Sequence, residues 1–186
     1  MGLPEEKMGE PRPFEEGLVE VFTGTGKGKT SAALGIALRA AGHGLRVHVV
    51  YFMKGDTRYG EQEAFGRLGT VTYSRFGHVT FVDPNRVREE EKAEARRALA
   101  AGREAMLSGG YDIVILDEVN VASAWGLVGV EDVLALIEQR PANVELILTG
   151  RYADPRIIAA ADLVTEMVEL KHPYNIGTPA RQGIDY

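Results

Sequence analysis

Six short apolar runs recur along the chain, and their composition predicts β-strands. They occupy residues 18–22, 45–52, 71–73, 113–116, 144–148 and 163–168. Several of them are almost continuous in Val, Ile and Leu instead of alternating between apolar and polar positions. Strands that are covered on both faces have this pattern, which is typical of parallel sheets.

Segments with helical periodicity lie between these runs. They predict helices over 30–41, 87–107, 130–139 and 155–161. The first is apolar almost all round and is expected to be buried, whereas the second carries its apolar residues on one side. Strand and helix alternate about six times, which favours an α/β fold with a doubly wound, mostly parallel sheet of about six strands.

The first 17 residues have a different composition from the rest. They contain three Pro, three Gly and five Glu and show no apolar period. We interpret residues 1–17 as a flexible tail, with a flap that orders over a ligand as the alternative. Residues 18–186 then form a single domain, because neither an internal repeat nor a second domain is evident.

A glycine-rich stretch lies between the first predicted strand and the first predicted helix, which is the context of a P-loop. Its backbone N–H groups can point at phosphate oxygens, while Lys29 reaches the terminal phosphates and Thr30 offers its hydroxyl to Mg²⁺. The loop departs from the Walker A consensus because Thr23 stands where a glycine is usual. An ordinary flexible turn is the alternative. The predicted phosphate-binding residues are Gly24, Thr25, Gly26, Lys27, Gly28, Lys29, Thr30 and Ser31.

Two consecutive carboxylates end the fourth apolar run, as in a Walker B strand. They are Asp117 and Glu118. One of them is expected to hold Mg²⁺ opposite Thr30, because Mg²⁺ favours a few carboxylates together with phosphate oxygens. The alternative is a solvated strand end or a helix cap.

Weaker candidates follow other strands. Lys54 and Arg151 lie just beyond the second and fifth runs, at the edge where open α/β sheets bind ligands. Either can contact a triphosphate or a second substrate, or be an ordinary surface cation. Phe76 and Phe81 belong to a loop that can line a pocket for a flat ligand, although packing beneath the loop is the alternative.

Composition narrows the function classes. The chain of 186 residues has a net charge of −6, which disfavours nucleic-acid binding, and it has no cysteine and therefore neither disulfides nor thiolate chemistry. No apolar stretch reaches the length of a membrane span, and no secretory signal is evident. These features favour a cytoplasmic protein without a membrane or nucleic-acid partner.

Several motifs together resemble a known family. They include Thr23–Thr30, Phe52-Met53-Lys54-Gly55, Leu116-Asp117-Glu118, Leu148-Thr149-Gly150-Arg151 and the ending Gly183-Ile184-Asp185-Tyr186. In order and spacing they are similar to the P-loop type of ATP:corrinoid adenosyltransferase, from about residue 17 to the end. The resemblance implies a P-loop NTPase-like fold.

The resemblance also implies a reaction. A reduced corrinoid attacks C5′ of ATP, the adenosyl group moves to cobalt, and triphosphate leaves, in the synthesis or salvage of adenosylcobalamin. Lys29 and Glu118 would be catalytic, and Thr30 and Glu118 would hold Mg²⁺, with Mn²⁺ as a substitute. The family further implies a homodimer, a flavoprotein reductase as electron donor, and a loop aromatic against the corrin, for which Phe81 is the candidate.

Other functions remain open at the level of the sequence. A P-loop kinase or ATPase would use Glu118 to activate water and would release ADP instead of triphosphate. A non-catalytic carrier would bind ATP and a corrinoid without turnover. A GTPase is disfavoured because neither an Asn-Lys-x-Asp nor a Thr-Lys-x-Asp motif occurs.

Overall fold

The computed structural model describes residues 15–55, 59–78 and 81–185. Most of the predicted tail, residues 1–14, lies outside them. The strands are β1 (Val19–Thr23), β2 (Val47–Tyr51), β3 (Val71–Arg75), β4 (Ile113–Asp117), β5 (Glu145–Thr149) and β6 (Leu163–Glu166). The helices are α1 (Lys29–Gly42), α2 (Gly60–Leu68), α3 (Glu89–Leu107), α4 (Val119–Ala124), α5 (Val130–Glu138) and α6 (Pro155–Ala160), followed by a 3₁₀ turn at Pro173–Ile176.

All six strands belong to one parallel sheet, with the order β3-β2-β4-β5-β1-β6. The predicted six-stranded α/β fold is therefore confirmed. The order places β5 between β1, which leads into the glycine-rich loop, and β4, which ends in the two acids. Residues at the carboxyl end of β5 consequently lie between the two motifs.

Helices cover both faces of the sheet. On one face α1 and α2 pack through Ala33, Ala37 and Phe65. On the other face α3, α5 and α6 pack through Leu99, Leu136 and Ile157. The neighbouring strands β1 and β5 send their helices to opposite faces, and such a divergence opens a crevice beyond the carboxyl ends of the strands.

Burial separates the central strands from the edge. Every residue of β4 and β5 is buried, as the continuous apolar runs predict, whereas all four residues of β6 are exposed at the sheet edge. The expectation that α1 is buried all round is wrong. It buries one face through Ala33, Ala37 and Ala40, while Leu38 is 59% exposed, because helix α1 covers only one side of the sheet.

Two short helices, α2 and α4, were not predicted from the sequence, and the boundaries of the others moved by one or two residues. The helix predicted from residue 87 begins at Glu89, because the extended Arg88 donates its backbone N–H to the Glu91 carboxylate at 2.8 Å. Within α3, Gly102 lies very close to Leu116. A Cβ atom at position 102 would lie 2.6 Å from Cδ2 of Leu116. No helix in the described ranges has the length and apolarity to cross a bilayer.

Candidate functional site

The carboxyl edge of the sheet carries unusual backbone conformations. Among the residues that the structure describes, three non-glycine residues have positive φ, namely Met53 (57°), Glu118 (67°) and Tyr152 (62°), and each follows the end of β2, β4 or β5 within three residues. Such conformations cost roughly 1–3 kcal/mol each and persist where the surrounding structure requires them. The strain is thus concentrated at the edge where the sequence motifs predicted a site.

The glycine-rich loop runs from β1 into α1 and is held from behind by the chain after β6. Gly26 donates its N–H to the Met167 carbonyl at 2.7 Å, and Met167 donates to the Thr23 carbonyl at 2.8 Å. Gly24 and Gly28 have φ of 96° and 113°, and a Cβ on Gly24 would lie 2.4 Å from the Met167 oxygen. Glycine is therefore required at position 24 for both conformation and space.

Lys29 folds back over this loop. Its Nζ donates to the Gly24 carbonyl at 2.8 Å and to the Gly26 carbonyl at 2.5 Å, and the side chain is buried. Burial lowers the pKa of Lys29 and Arg151 lowers it further, whereas Glu118 and Asp117 act in the opposite direction. The structure therefore positions an ammonium group inside the curve of the predicted phosphate loop.

Asp117 is the anchor of the site. Its carboxylate is fully buried and accepts hydrogen bonds from Thr30 Oγ1 (2.8 Å) and Thr149 Oγ1 (2.7 Å) through Oδ1, and from Lys54 Nζ (2.6 Å) through Oδ2. A buried carboxylate with one cation and two hydroxyl donors is well compensated for its loss of water. Asp117 thus joins α1, β5 and the segment after β2.

Glu118 differs from its neighbour in sequence. Its side chain is partly exposed and lines a cavity beside the loop. Within the part of the chain that the structure describes, no group donates a hydrogen bond to its carboxylate. Burial and the charge of Asp117 raise the pKa of Glu118, while Lys54, Lys29 and Arg151 oppose the increase. Glu118 therefore presents unengaged oxygens to the cavity.

Lys54 follows β2, and its side chain extends to the Asp117 carboxylate. Burial disfavours its charge, but the charge and the hydrogen bond of Asp117 outweigh that cost and raise the pKa of the Lys54 ammonium group. The ammonium group also lies 5.3 Å from the centre of the Tyr51 ring and 4.9 Å from that of Tyr59, within the range of cation–π attraction. Lys54 is consequently a paired cation beside the candidate site and not a free surface cation.

A cavity of about 900 Å³ lies over these groups. One wall is the loop from Gly26 to Ser31, and Lys54, Glu118 and Arg151 face the same space. A volume of this size suits a nucleotide-sized ligand. Gly24 and Thr25 do not line the cavity, although the Gly24 carbonyl positions Lys29.

The C-terminal segment also lines the cavity. It includes His172, Tyr174 and the stretch from Gly183 to Asp185. Asp185 forms an ion pair of 2.6 Å with Lys27 of the loop, and this pair together with Arg181 lowers the pKa of Asp185. This ion pair holds the C-terminal segment against the glycine-rich loop.

The two loop aromatics have different surroundings. Phe76 packs against the core, with the Arg97 guanidinium 5.8 Å from its ring centre. Phe81 is fully exposed, so the alternative that it packs beneath its loop is wrong for this residue. Phe81 does not line the 900 Å³ cavity.

Sequence reasoning missed three contributors to the site. These are Thr149, Tyr59 and Asp185. Thr149 and Asp185 both belong to motifs that carry the resemblance, but neither was named as a site residue. A threonine at the end of an apolar run, directly before Gly150-Arg151, was the available signal for the first. Tyr59 lies in a segment without a strong pattern and gave no signal.

The side-chain oxygen atoms at the candidate site are of the kind that coordinates a magnesium ion. The Thr30 hydroxyl and the Glu118 carboxylate place oxygen atoms at the cavity beside the loop, and Mg²⁺ in nucleotide sites takes one or two protein ligands together with phosphate oxygens. Within the described ranges, no group of three or more His, Asp or Glu side chains could hold a metal by itself. A metal at this position would therefore depend on the phosphates of the nucleotide.

Together the parallel sheet in this strand order, the loop at the start of α1 and the acids at the end of β4 are consistent with an α/β protein of the P-loop NTPase-like class. The comparisons with known proteins narrow the class. Residues 15–186 match the sequence profile of the family described as ATP:corrinoid adenosyltransferase BtuR/CobO/CobP. The chain belongs to this family.

Individual relatives agree with the profile. The chain is 40% identical over 184 residues to a corrinoid adenosyltransferase of Pseudomonas aeruginosa. This alignment covers 98% of this chain and 89% of the relative. It is 36% identical over 172 residues to a corrinoid adenosyltransferase of Escherichia coli K12, and 36% identical over 172 residues to the corrinoid adenosyltransferase CobA of Salmonella typhimurium. Each of these two alignments covers 92% of this chain and 87% of the relative.

Proposed function

We propose that this protein transfers the 5′-deoxyadenosyl group of ATP to the cobalt of a reduced corrinoid, in the synthesis or salvage of adenosylcobalamin. The electron pair of Co(I) attacks C5′, a cobalt–carbon bond forms, and the C5′–O bond breaks. Triphosphate leaves with the electron pair of that bond. The observation that carries the proposal is that the loop with its inward Lys29 lines the same cavity as Glu118, in a member of this family.

The loop would hold the leaving group. Negative charge accumulates on the triphosphate as the C5′–O bond breaks, and donors fixed in advance at that position lower the barrier. Lys29, released from the carbonyls of Gly24 and Gly26, can donate to the triphosphate together with the N–H groups of the loop. Arg151 adds another cation to the lining of the same cavity.

Thr30 and Glu118 would hold Mg²⁺, with Mn²⁺ as a substitute of similar ligand preference. The ion would neutralise charge on the triphosphate oxygens. Glu118 suits this position because its carboxylate faces the cavity, whereas the Asp117 carboxylate is occupied by Thr30, Thr149 and Lys54. Cobalt is the nucleophile, so neither acid needs to act as a general base.

The corrinoid side of the site would include Phe81. A fully exposed aromatic side chain can bury a large apolar area against a flat macrocycle. We further propose a homodimer in the cytoplasm and a flavoprotein reductase that supplies electrons to cobalt.

Product analysis tests the proposal. The protein is incubated with ATP, Mg²⁺ and chemically reduced cobalamin, and the corrinoid spectrum is followed while the nucleotide products are separated. We expect adenosylcobalamin and triphosphate in equal amounts. Formation of ADP would contradict the proposal in favour of a kinase or ATPase, and binding of both substrates without turnover would favour a carrier.

A further inference from the structure

Thr149 has a buried hydroxyl group that forms hydrogen bonds with both of the consecutive acids, Asp117 and Glu118. It ends β5, which lies between the loop strand β1 and the acid strand β4. Its Oγ1 donates to Asp117 Oδ1 at 2.7 Å and accepts the backbone N–H of Glu118 at 3.0 Å. Thr149 is fully buried, so no solvent can replace either hydrogen bond if the hydroxyl is removed.

These two hydrogen bonds act on different properties of the acids. The bond to Asp117 occupies the oxygen that also accepts from Thr30, so it fixes the orientation of a carboxylate that in turn holds the Thr30 hydroxyl. The bond from Glu118 stabilises a backbone with φ of 67°, which is rare for a residue with a side chain. That conformation directs the chain after β4 so that Glu118 lines the cavity.

We propose that Thr149 is a positioning residue that assigns separate tasks to the two acids, Asp117 as the buried anchor of Thr30 and Glu118 as the group that faces the metal–triphosphate. The inference rests on the proposed function for the identity of the bound nucleotide. It predicts that the Thr149 hydroxyl influences the metal-dependent part of ATP binding, although Thr149 itself touches neither ligand.

The nature of the side chain allows the hydroxyl to be separated from packing. Valine has nearly the shape of threonine but can neither donate to Asp117 nor accept from Glu118. Serine keeps the hydroxyl and loses a methyl group. If the hydroxyl is what matters, Thr149→Ser retains metal-linked binding and Thr149→Val loses it, whereas a packing role predicts the reverse order.

The test is a calorimetric titration of the full chain with ATP, once with EDTA and once over a series of Mg²⁺ concentrations. Partners of metal ligands typically contribute 10–100-fold to metal affinity. We therefore expect Thr149→Val to raise the Mg²⁺ concentration needed for tight ATP binding by roughly tenfold. Its affinity for ATP in EDTA should stay near that of the wild type, and Thr149→Ser should restore the metal dependence. The exposed Thr165 of β6 offers a matched control, and Thr165→Val should behave as the wild type.

Three results would overturn the inference. They are an unchanged Mg²⁺ requirement in Thr149→Val, an equal loss of ATP affinity with and without metal, and a serine variant as impaired as the valine variant. If Thr149→Val does not fold, Thr149→Ala, which also lacks the hydroxyl, takes its place in the comparison with serine.

The same samples separate this inference from the proposed function. Wild-type protein that shows Mg²⁺-linked ATP binding, with the predicted order of variants, but forms no adenosylcobalamin would refute the proposed activity and leave the positioning of the acids supported. Wild-type protein that forms adenosylcobalamin while Thr149→Val keeps the normal Mg²⁺ requirement would refute only the role of Thr149.

Discussion

One close pair of carboxylates lies at the carboxyl ends of the strands (the carboxyl edge), and another lies near their amino ends (the amino edge). The two pairs have opposite surroundings. At the carboxyl edge, Asp117 and Glu118 lie among Lys54, Lys29 and Arg151. Near the amino edge, Glu20 of β1 shares a hydrogen bond with Glu145 of β5, and the groups that shift the pKa of Glu20 include no cation.

The difference is visible in the pKa of Glu20. Burial, the hydrogen bond to Glu145 and the negative charge of Glu145 all raise the pKa of Glu20, to about 7. Glu145 is additionally fixed by the Leu18 N–H, which donates to its Oε2 at 2.7 Å. Burial of acids alone therefore does not mark a binding site. Convergent cations, a glycine-rich loop and a cavity distinguish the carboxyl edge from the amino edge.

The largest expected effect comes from removing a cation at the carboxyl edge. We expect Lys29→Ala to lower the rate of adenosyl transfer by about 10²–10³-fold, because a donor fixed toward the leaving group is lost. Transfer is measured from cob(I)alamin and ATP, with circular dichroism to verify the fold. Arg39→Ala, at the exposed end of the same helix, is the control and should be neutral. Near-normal transfer by a folded Lys29→Ala protein would remove the triphosphate from this loop.

The two acids of the carboxyl edge should themselves differ. Glu118→Ala should increase the Mg²⁺ requirement of the reaction more than Asp117→Ala does, because only Glu118 faces the cavity. Roughly a tenfold increase is expected for a lost metal contact. Asp117→Ala should instead lower thermal stability, since Lys54 would remain buried without its counter-charge. Metal titrations and melting curves of both variants measure this, and a larger metal shift in Asp117→Ala would reverse the assignment.

Phe81 should affect a single step of the reaction. If it lies below the corrin and excludes a lower ligand of cobalt, Phe81→Ala slows the reaction severalfold from cob(II)alamin with a protein reductant. The rate from chemically reduced cob(I)alamin and the affinity for ATP should hardly change. Both rates and an ATP titration are compared with the wild type. Equal losses from the two cobalt states would contradict a role in reduction.

The smallest effect is expected at the amino edge and concerns stability. Glu20 has a raised pKa of about 7 in the folded protein against an ordinary value of 4.5, so the native state binds its proton more tightly than the unfolded state does. Folding stability is therefore lost as pH rises from about 4.5 to 7, and the loss is complete above that range.

Glu20→Gln removes this titration. After allowance for partial solvent screening, we expect the variant to be about 1 kcal/mol more stable than the wild type at pH 8 and nearly equal to it at pH 4. Urea unfolding at the two pH values measures the difference, with the exposed Glu104→Gln as control. A gain of the same size at both pH values would show that repulsion from Glu145 is not its cause. Adenosyl transfer should not change, which distinguishes this pair from the pair at the other edge.

Local patterns in the sequence predicted most of the fold. The buried strands β4 and β5 were evident because both of their faces are covered, so every position is apolar or tied to a partner. Helix α2 was missed because it buries only Gln62 and Phe65, which gives little periodicity. Helix α4 was missed because it is short and buried on nearly all sides, so its pattern does not differ from that of the strand before it.

The site was predictable where its chemistry is local in sequence. The loop from Gly24 to Ser31 and the acids of β4 carry their own motifs. The contacts of Thr149 and of Asp185 with these motifs are not local, since they depend on the order of strands in the sheet and on the return of the chain end to the loop. No spacing rule along the chain predicts that β5 separates β1 from β4.

The proposed adenosyl transfer is tested most directly by determining which bond of ATP breaks. ATP carrying ¹⁸O at the bridge between C5′ and the α-phosphorus is converted with reduced cobalamin and Mg²⁺, and the products are analysed by mass spectrometry. Attack of cobalt on C5′ predicts that all of the label leaves in triphosphate and that the adenosyl group on cobalt carries none. Label retained on the nucleoside, in ADP or AMP, would show cleavage at phosphorus and would contradict adenosyl transfer at this site.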